Sequence, residues 1–122
     1  MIIPTLRYQD AKGAIDFLER AFGFERRAVH ENEDGTVMHS ELTHGRGMVM
    51  LGTRKDGDKF ETGRAVIYVV VSDPDAVHDR AKAAGATIVS ELVDQDYGSR
   101  EFAAKDLEGN IWSFGTYDPF AN

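Results

Sequence analysis

TLRY at residues 5–8, followed by AIDFLERAFG at residues 14–23, decides the fold, because the same arrangement returns as IYVV at residues 67–70 and AVHDRAKAAG at residues 76–85. An offset of 62 residues carries Ala14 to Ala76, Ala21 to Ala83, Gly23 to Gly85 and Gly47 to Gly109. Each copy predicts a strand, a helix ended by glycine, and three further strands. Such a unit is too small to bury its own sheet face, so the two copies are expected to pair and to enclose a pocket.

Composition limits the class of protein. With 122 residues and 42% hydrophobic content, the chain fits one domain with its own core. It has no apolar run long enough to cross a membrane and no secretory signal at its start, so a cytoplasmic location is expected. The absence of cysteine excludes disulfides and thiolate metal sites. The net charge of -7 argues against nucleic acid, membranes and highly anionic substrates as partners.

The first module is predicted over residues 1–52. Asp10 is placed to cap a helix over residues 11–22, whose apolar residues recur at spacings of three and four, and Gly23 ends that helix. Strands are predicted on either side of it, over residues 2–8, 24–30, 36–43 and 48–51. Residues 53–64, rich in Gly, Lys and Asp, are the expected linker to the second module.

The second module is predicted over residues 65–117 and repeats the order of the first. Ser72 or Asp73 can cap its helix, Pro74 suits the first turn, and Gly85 ends it. Its buried side is expected to carry Ala76, Val77, Ala81 and Ala84. Strands are predicted over residues 65–71, 87–93, 100–104 and 110–117.

Residues 106–114, DLEGNIWSF, resemble the D-P-x-G-x-x-x-x-[FL] ending of the vicinal oxygen chelate superfamily, which includes glyoxalase I, extradiol dioxygenases and bleomycin-resistance proteins. Asp10, residues 14–17 and residues 21–24 are similar to the superfamily's first-helix pattern. The resemblance covers residues 3–117. It implies an α+β fold of two paired βαβββ modules that form a curved mixed sheet around a cleft, commonly in a homodimer.

The resemblance also implies a divalent metal in the enzymes of the superfamily, held on the first and last strands of each module. The corresponding places here fall on Ile3 or Pro4, Met50 or Leu51, Ala65 or Val66, and Ser113. Except for the weak ligand Ser113, none of these side chains binds such a metal. Metal-dependent lyase or dioxygenase chemistry is therefore disfavoured, and we expect no metal and no cofactor.

One face of each predicted sheet must line the cleft, and strand alternation allows two registers. In the first, Trp112 and Phe114 pack under the helices and Ser113 faces the cleft; in the second, the two aromatic rings are ligand-stacking walls. The ligand-binding residues expected from both possibilities are Met48, Met50, Tyr68, Phe102, Trp112 and Ser113.

His39 and Glu41 are two residues apart on one strand and therefore share a face. A histidine beside a carboxylate can act as a general base, which makes these two the candidate catalytic residues. The alternative is a solvated or dimer-facing polar surface. The remaining histidines are expected at the surface: His30 at a strand end, His44 in a turn and His78 on an exposed helix face.

Aromatic residues also gather near the end of the chain, beside several carboxylates. The aromatic set is Tyr97, Phe102, Tyr117 and Phe120, and the acidic set is Asp94, Asp96 and Glu101. Together they suit a flat cationic or neutral ligand, although such residues can equally seal a core or a subunit interface.

Three functions remain open. The first is metal-independent binding or sequestration of a small aromatic or cationic molecule such as an antibiotic, in a homodimer. The second is a lyase, isomerase or dioxygenase with an unusual site. The third is a structural or regulatory module.

Overall fold

A computed structural model gives the structure of residues 1–121, and its contacts divide the chain into two compact units. Unit 1 runs from Met1 to Gly63, and unit 2 begins at Arg64. Unit 1 contains β1 (Thr5–Tyr8), α1 (Ala11–Phe22), β2 (Glu25–Glu31), β3 (Val37–His44) and β4 (Gly47–Thr53). Unit 2 contains β5 (Val66–Val70), α2 (Pro74–Ala83), β6 (Thr87–Asp94), β7 (Arg100–Lys105) and β8 (Ile111–Gly115). The predicted α+β class and the βαβββ order of each unit are confirmed.

Each unit forms a four-stranded mixed sheet. The strand orders are β1-β4-β3-β2 and β5-β8-β7-β6, and in each unit the first strand lies parallel to the last. The other neighbouring strands are antiparallel. The first strand of each unit therefore lies directly beside the last, with Thr5 opposite Met50 and Tyr68 opposite Ser113.

Helix α1 has the predicted bounds for the predicted reasons. The Asp10 side chain accepts a hydrogen bond from the backbone N–H of Gly13 at 3.0 Å and so satisfies one free donor of the first turn. Gly23 ends the helix with a φ of 79°, which a residue with a Cβ rarely adopts. The apolar stripe between these caps is buried, with Phe17 and Phe22 in edge-to-face contact.

Helix α2 differs from the prediction in the face that it buries. Its cap is Asp73, and the buried positions are Pro74, His78 and Ala81, whereas Ala76 is exposed. The expectation that His78 lies at the surface is therefore wrong. His78 points inward, and its ring packs nearly perpendicular to that of Phe102, with 5.3 Å between the ring centroids.

The core of unit 2 fixes the register of the last strand. Trp112 and Phe114 are fully buried, and Phe114 stacks on Phe102 at 5.0 Å between ring centroids. Because Phe102 also contacts His78 of α2, all these rings lie on the helix side of the sheet. The face of each sheet opposite its helix, which we call the open face, therefore carries Ser113 in unit 2.

No helix within residues 1–121 has the length and apolarity needed to cross a membrane.

Candidate functional site

The open face of unit 1 carries two methionines on β4. Met48 and Met50 are half-buried, while Val49 and Leu51, which alternate with them, are buried on the helix side. Met50 lies between Thr5 of β1 and Glu41 of β3 in the strand register. This arrangement provides a soft apolar surface with polar groups on both sides.

His39 and Glu41 come together on β3 as predicted from their spacing. His39 Nε2 lies 3.0 Å from Glu41 Oε2, and the two side chains are 38% and 21% exposed. Arg27 of β2 donates a second hydrogen bond to the same carboxylate. The bond from His39 and then that from Arg27 lower the pKa of the Glu41 carboxyl. Glu41 is therefore a weak base that orients its neighbours.

The open face of unit 2 carries exposed apolar side chains on its first strand, β5. Val66 is 72% exposed and Tyr68 is 40% exposed, and Tyr68 lies directly opposite the half-buried Ser113. The Tyr68 hydroxyl donates a hydrogen bond to the backbone carbonyl of Tyr117 at 2.8 Å. Tyr68 and Ser113, both candidate ligand-binding residues from the sequence, thus lie side by side.

Phe102 and Trp112 lie elsewhere. Phe102 is 1% exposed and Trp112 is fully buried, and the indole N–H of Trp112 donates to Asp106 Oδ2 at 3.0 Å. Both rings fill the helix side of the sheet and present no surface to a ligand. We therefore leave these two residues out of the candidate site.

The positions that the superfamily uses for a metal do not fit one here. In unit 1, Met50 donates its backbone N–H to Pro4 O at 3.0 Å, so the two positions are adjacent, yet neither side chain there is an oxygen or nitrogen ligand. In unit 2, Ser113 is the only polar side chain at the corresponding places. Nowhere in residues 1–121 do three His, Asp or Glu side chains gather closely enough to hold a metal ion.

Two features of the surface were not predicted from the sequence. The first is the hydrogen bond from the Tyr97 hydroxyl to Glu101 Oε1, at 2.8 Å. The sequence feature that could have indicated this bond is the turn at Gly98, which lies between Tyr97 and Glu101. The second is a shallow depression of about 200 Å³ lined by Gly23, Glu25, Thr43, His44 and Gly45. Its lining comes from the junction of α1 with β2 and from the end of β3 with the turn that follows, so no local pattern could have revealed it.

Comparison with known proteins gives one family. The sequence model of the Glyoxalase/Bleomycin resistance protein/Dioxygenase superfamily matches residues 3–114. The uncharacterized protein Mb0911c of Mycobacterium bovis is 35% identical over 121 residues, which cover 92% of this chain and 80% of that protein.

Solved structures show the same similarity. TioX from Micromonospora sp. ML1 has 33% sequence identity and a TM-score of 0.77, and the match covers 93% of this chain and 95% of TioX. A superfamily member from Sphaerobacter thermophilus has 21% identity and a TM-score of 0.72, with 93% of each chain covered, and shows the fold alone.

Proposed function

Since this chain belongs to the glyoxalase/bleomycin resistance/dioxygenase superfamily, we propose that it binds and sequesters a small aromatic or cationic molecule, such as an antibiotic, without a metal. A homodimer is part of this proposal. The superfamily contains both enzymes and binding proteins, so the fold leaves the choice between them to the residues of the site.

The residues at the metal positions carry the proposal. A Lewis-acid mechanism needs a cation held by fixed oxygen or nitrogen ligands with a free coordination site. Ile3, Met50 and Val66 supply hydrocarbon or thioether instead, and Ser113 alone supplies an oxygen. The same positions are well suited to contact an apolar ligand, because they lie on or beside the open faces of the two sheets.

The remaining surface indicates the ligand class. Met48 and Met50 offer adaptable, polarizable contacts to a flat ring system. Tyr68 combines an aromatic face with an ordered hydroxyl. The net charge of -7 favours neutral or positively charged ligands over anions.

A second candidate function rests on the contact between His39 and Glu41. An imidazole held 3.0 Å from a carboxylate could accept a proton from a bound substrate, as in an isomerase or lyase. Two observations make this function less favoured than sequestration: both side chains are partly exposed to solvent, and Arg27 already pairs with Glu41. In an enzyme of this kind His39→Ala would abolish turnover, whereas in a sequestering protein it would leave ligand affinity nearly unchanged.

Calorimetric titration with a panel of glycopeptide and quinoid antibiotics tests the proposal. We expect at least one compound to bind more tightly than about millimolar, with the same affinity after treatment with a chelator. Met50→Lys should weaken that binding, because it replaces an apolar contact by a positive charge that repels a cation. Met38→Lys is the matched control, since Met38 is 59% exposed and lies outside the candidate site.

Two results would overturn the proposal. One is the absence of binding across the whole panel. The other is a stoichiometric divalent metal in the purified protein that raises the melting temperature strongly, because a ligand bound only by the native state increases its stability.

A further inference from the structure

Three tyrosines of unit 2 lie close to one another beside a carboxylate of the open face. Tyr97, in the turn before β7, donates its hydroxyl to Glu101 Oε1 at 2.8 Å. Tyr117, just after β8, places its ring nearly perpendicular to that of Tyr97, with 6.2 Å between centroids. Tyr68, on β5, donates its hydroxyl to the carbonyl of Tyr117 at 2.8 Å. We call Tyr68, Tyr97, Tyr117 and Glu101 the tyrosine cage.

Gly115 makes this convergence possible. It lies directly opposite Glu101 on one side and Val70 on the other in the strand register. A Cβ at this position would lie 2.5 Å from Tyr68 Oη and 2.7 Å from Glu101 Cγ. Because a Cβ this close would force Tyr68 or Glu101 to shift, glycine lets the two side chains approach each other above β8.

Among residues 1–121, the carboxylate of the cage has no positively charged partner. Within the described residues, no Lys, Arg or His side chain pairs with Glu101, whose hydrogen bond comes from the neutral Tyr97. Arg100, its neighbour in sequence, is held by Asp75 at 2.7 Å and Asp94 at 3.2 Å. A buried or half-buried carboxylate normally has such a partner, so the charge of Glu101 is available to a ligand.

The electrostatics of the tyrosines agree with a negative site. The hydrogen bond to Glu101 is the main cause that raises the pKa of the Tyr97 hydroxyl. Burial is the main cause that raises the pKa of Tyr68, and the charges of Glu101 and Asp118 add to it. Both tyrosines therefore stay neutral at physiological pH, and their rings keep the electron-rich faces that attract cations.

The three rings are also accessible. Tyr68, Tyr97 and Tyr117 are 40%, 63% and 52% exposed, whereas Tyr8, the remaining tyrosine of the chain, is fully buried. Accessible aromatic faces around an unpaired carboxylate are the groups that recognise alkylated ammonium ions. We infer that the tyrosine cage binds the ammonium group of an organic cation, an inference that rests on the proposed function and gives its ligand a chemical class.

Choline and its uncharged isostere 3,3-dimethylbutan-1-ol are the probes that test this inference. Nuclear magnetic resonance of the full chain with labelled tyrosine rings reports each site separately. Choline should shift the signals of Tyr68, Tyr97 and Tyr117 in a saturable way and leave Tyr8 unchanged. The neutral alcohol should bind about tenfold more weakly or worse, since it lacks the charge.

Charge-matched variants identify the carboxylate. Glu101→Gln should weaken choline binding about tenfold, while Glu33→Gln, an exposed turn residue of unit 1, should leave it unchanged. Both variants lose one negative charge, so their comparison separates the cage from the overall field. Circular dichroism shows whether Glu101→Gln is folded, and Tyr97→Ala offers a second route to the same loss.

The inference is overturned if choline and the alcohol bind equally, or if Glu101→Gln and Tyr97→Ala both retain choline binding. Its failure is distinct from that of the proposed function. A panel compound that binds while choline does not would remove the cage and leave sequestration intact. No binding by choline or by any panel compound would remove both.

Discussion

Asp106 is a single carboxylate on which the turn between β7 and β8 depends. Its Oδ1 accepts hydrogen bonds from the backbone N–H groups of Glu108 and Asn110, both at 3.0 Å, and its Oδ2 accepts the indole N–H of Trp112. Asp106→Ala should lower the free energy of unfolding by about 2–4 kcal/mol, because it leaves buried donors without an acceptor. Urea unfolding followed by Trp112 fluorescence measures the change.

Asp34→Ala is the control for that substitution. Asp34 also accepts two hydrogen bonds in a turn, from the backbone and the hydroxyl of Thr36, but it is exposed to solvent. Water can replace those bonds, so the loss of stability should be much smaller than for Asp106→Ala. Equal losses in the two variants would mean that the buried network of Asp106 contributes nothing special.

The sequence predicted this turn more completely than it predicted the residues around it. The acidic and glycine residues of 106–109 marked the turn and the family. Strand alternation, however, gives two registers with equal spacing, so Trp112 could be assigned to the core or to a ligand site. The bond from its indole to Asp106 decides between them, and that contact joins residues from opposite sides of the turn.

At the scale of the elements, His78 links α2 to β6 through a side-chain hydrogen bond. Its Nδ1 lies 3.0 Å from Asp79 of the same helix, and its Nε2 lies 2.9 Å from Glu91 of β6. A neutral imidazole has one N–H, so both bonds form together only in the imidazolium. The bond to Asp79 is the main cause that raises the pKa of His78; Glu91 adds to it and burial opposes it.

The raised pKa gives the stability of the protein a defined dependence on pH. Since protonation is favoured in the folded state, the contribution of His78 is complete below the unfolded pKa of about 6.5 and is lost as pH rises through the higher folded pKa. The difference in unfolding free energy between the wild type and His78→Gln should therefore be larger at about pH 6 than at about pH 9. Urea titrations at both pH values measure it.

The groups around His78 provide the control. Asp79 and Asp75 face it from α2, Glu91 faces it from β6, and the uncharged Phe102 packs against it from β7. Glu91→Gln should reduce the pH dependence without removing it, because Asp79 remains. A difference between wild type and His78→Gln that stays constant or grows with pH would contradict this account.

The two helices show why elements differ in how well they can be predicted. In α1 the cap, the apolar stripe and the terminal glycine all point to residues 11–22, and the structure has those bounds. In α2 the short side chains gave a weak stripe, and two adjacent residues could serve as the cap. Counted from the caps Asp10 and Asp73, the buried Pro74, His78 and Ala81 correspond to the buried Ala11, Ile15 and Leu18 of α1, an offset of 63 residues and not the predicted 62.

At the scale of the whole molecule, the repeat explains the fold and its divergence indicates the function. The predicted offset of 62 residues is an average: the helix caps Asp10 and Asp73 are 63 apart, and the buried residues Leu51 and Trp112 of the last strands are 61 apart. The open faces have diverged further, with methionines on unit 1 and the tyrosine cage on unit 2. A repeat can predict shared architecture, but these differences depend on individual side chains.

The segment that follows β4 within unit 1, residues 54–63, is held against β1 by Arg7. Arg7 of β1 lies 3.2 Å from Asp58 Oδ2, and its guanidinium lies 5.6 Å from the centre of the Phe60 ring. Arg7→Ala should release this segment, so that trypsin cleaves after Lys55 or Lys59 several-fold faster, because proteolysis requires local opening of the chain. Mass spectrometry of the fragments locates the cut.

Arg20→Ala is the control: it removes an exposed partner of Asp16 and one trypsin site, and it should leave the rate of cleavage after Lys55 or Lys59 unchanged. Cleavage spread along the whole chain of Arg7→Ala would instead mean that Arg7 stabilises unit 1 as a whole.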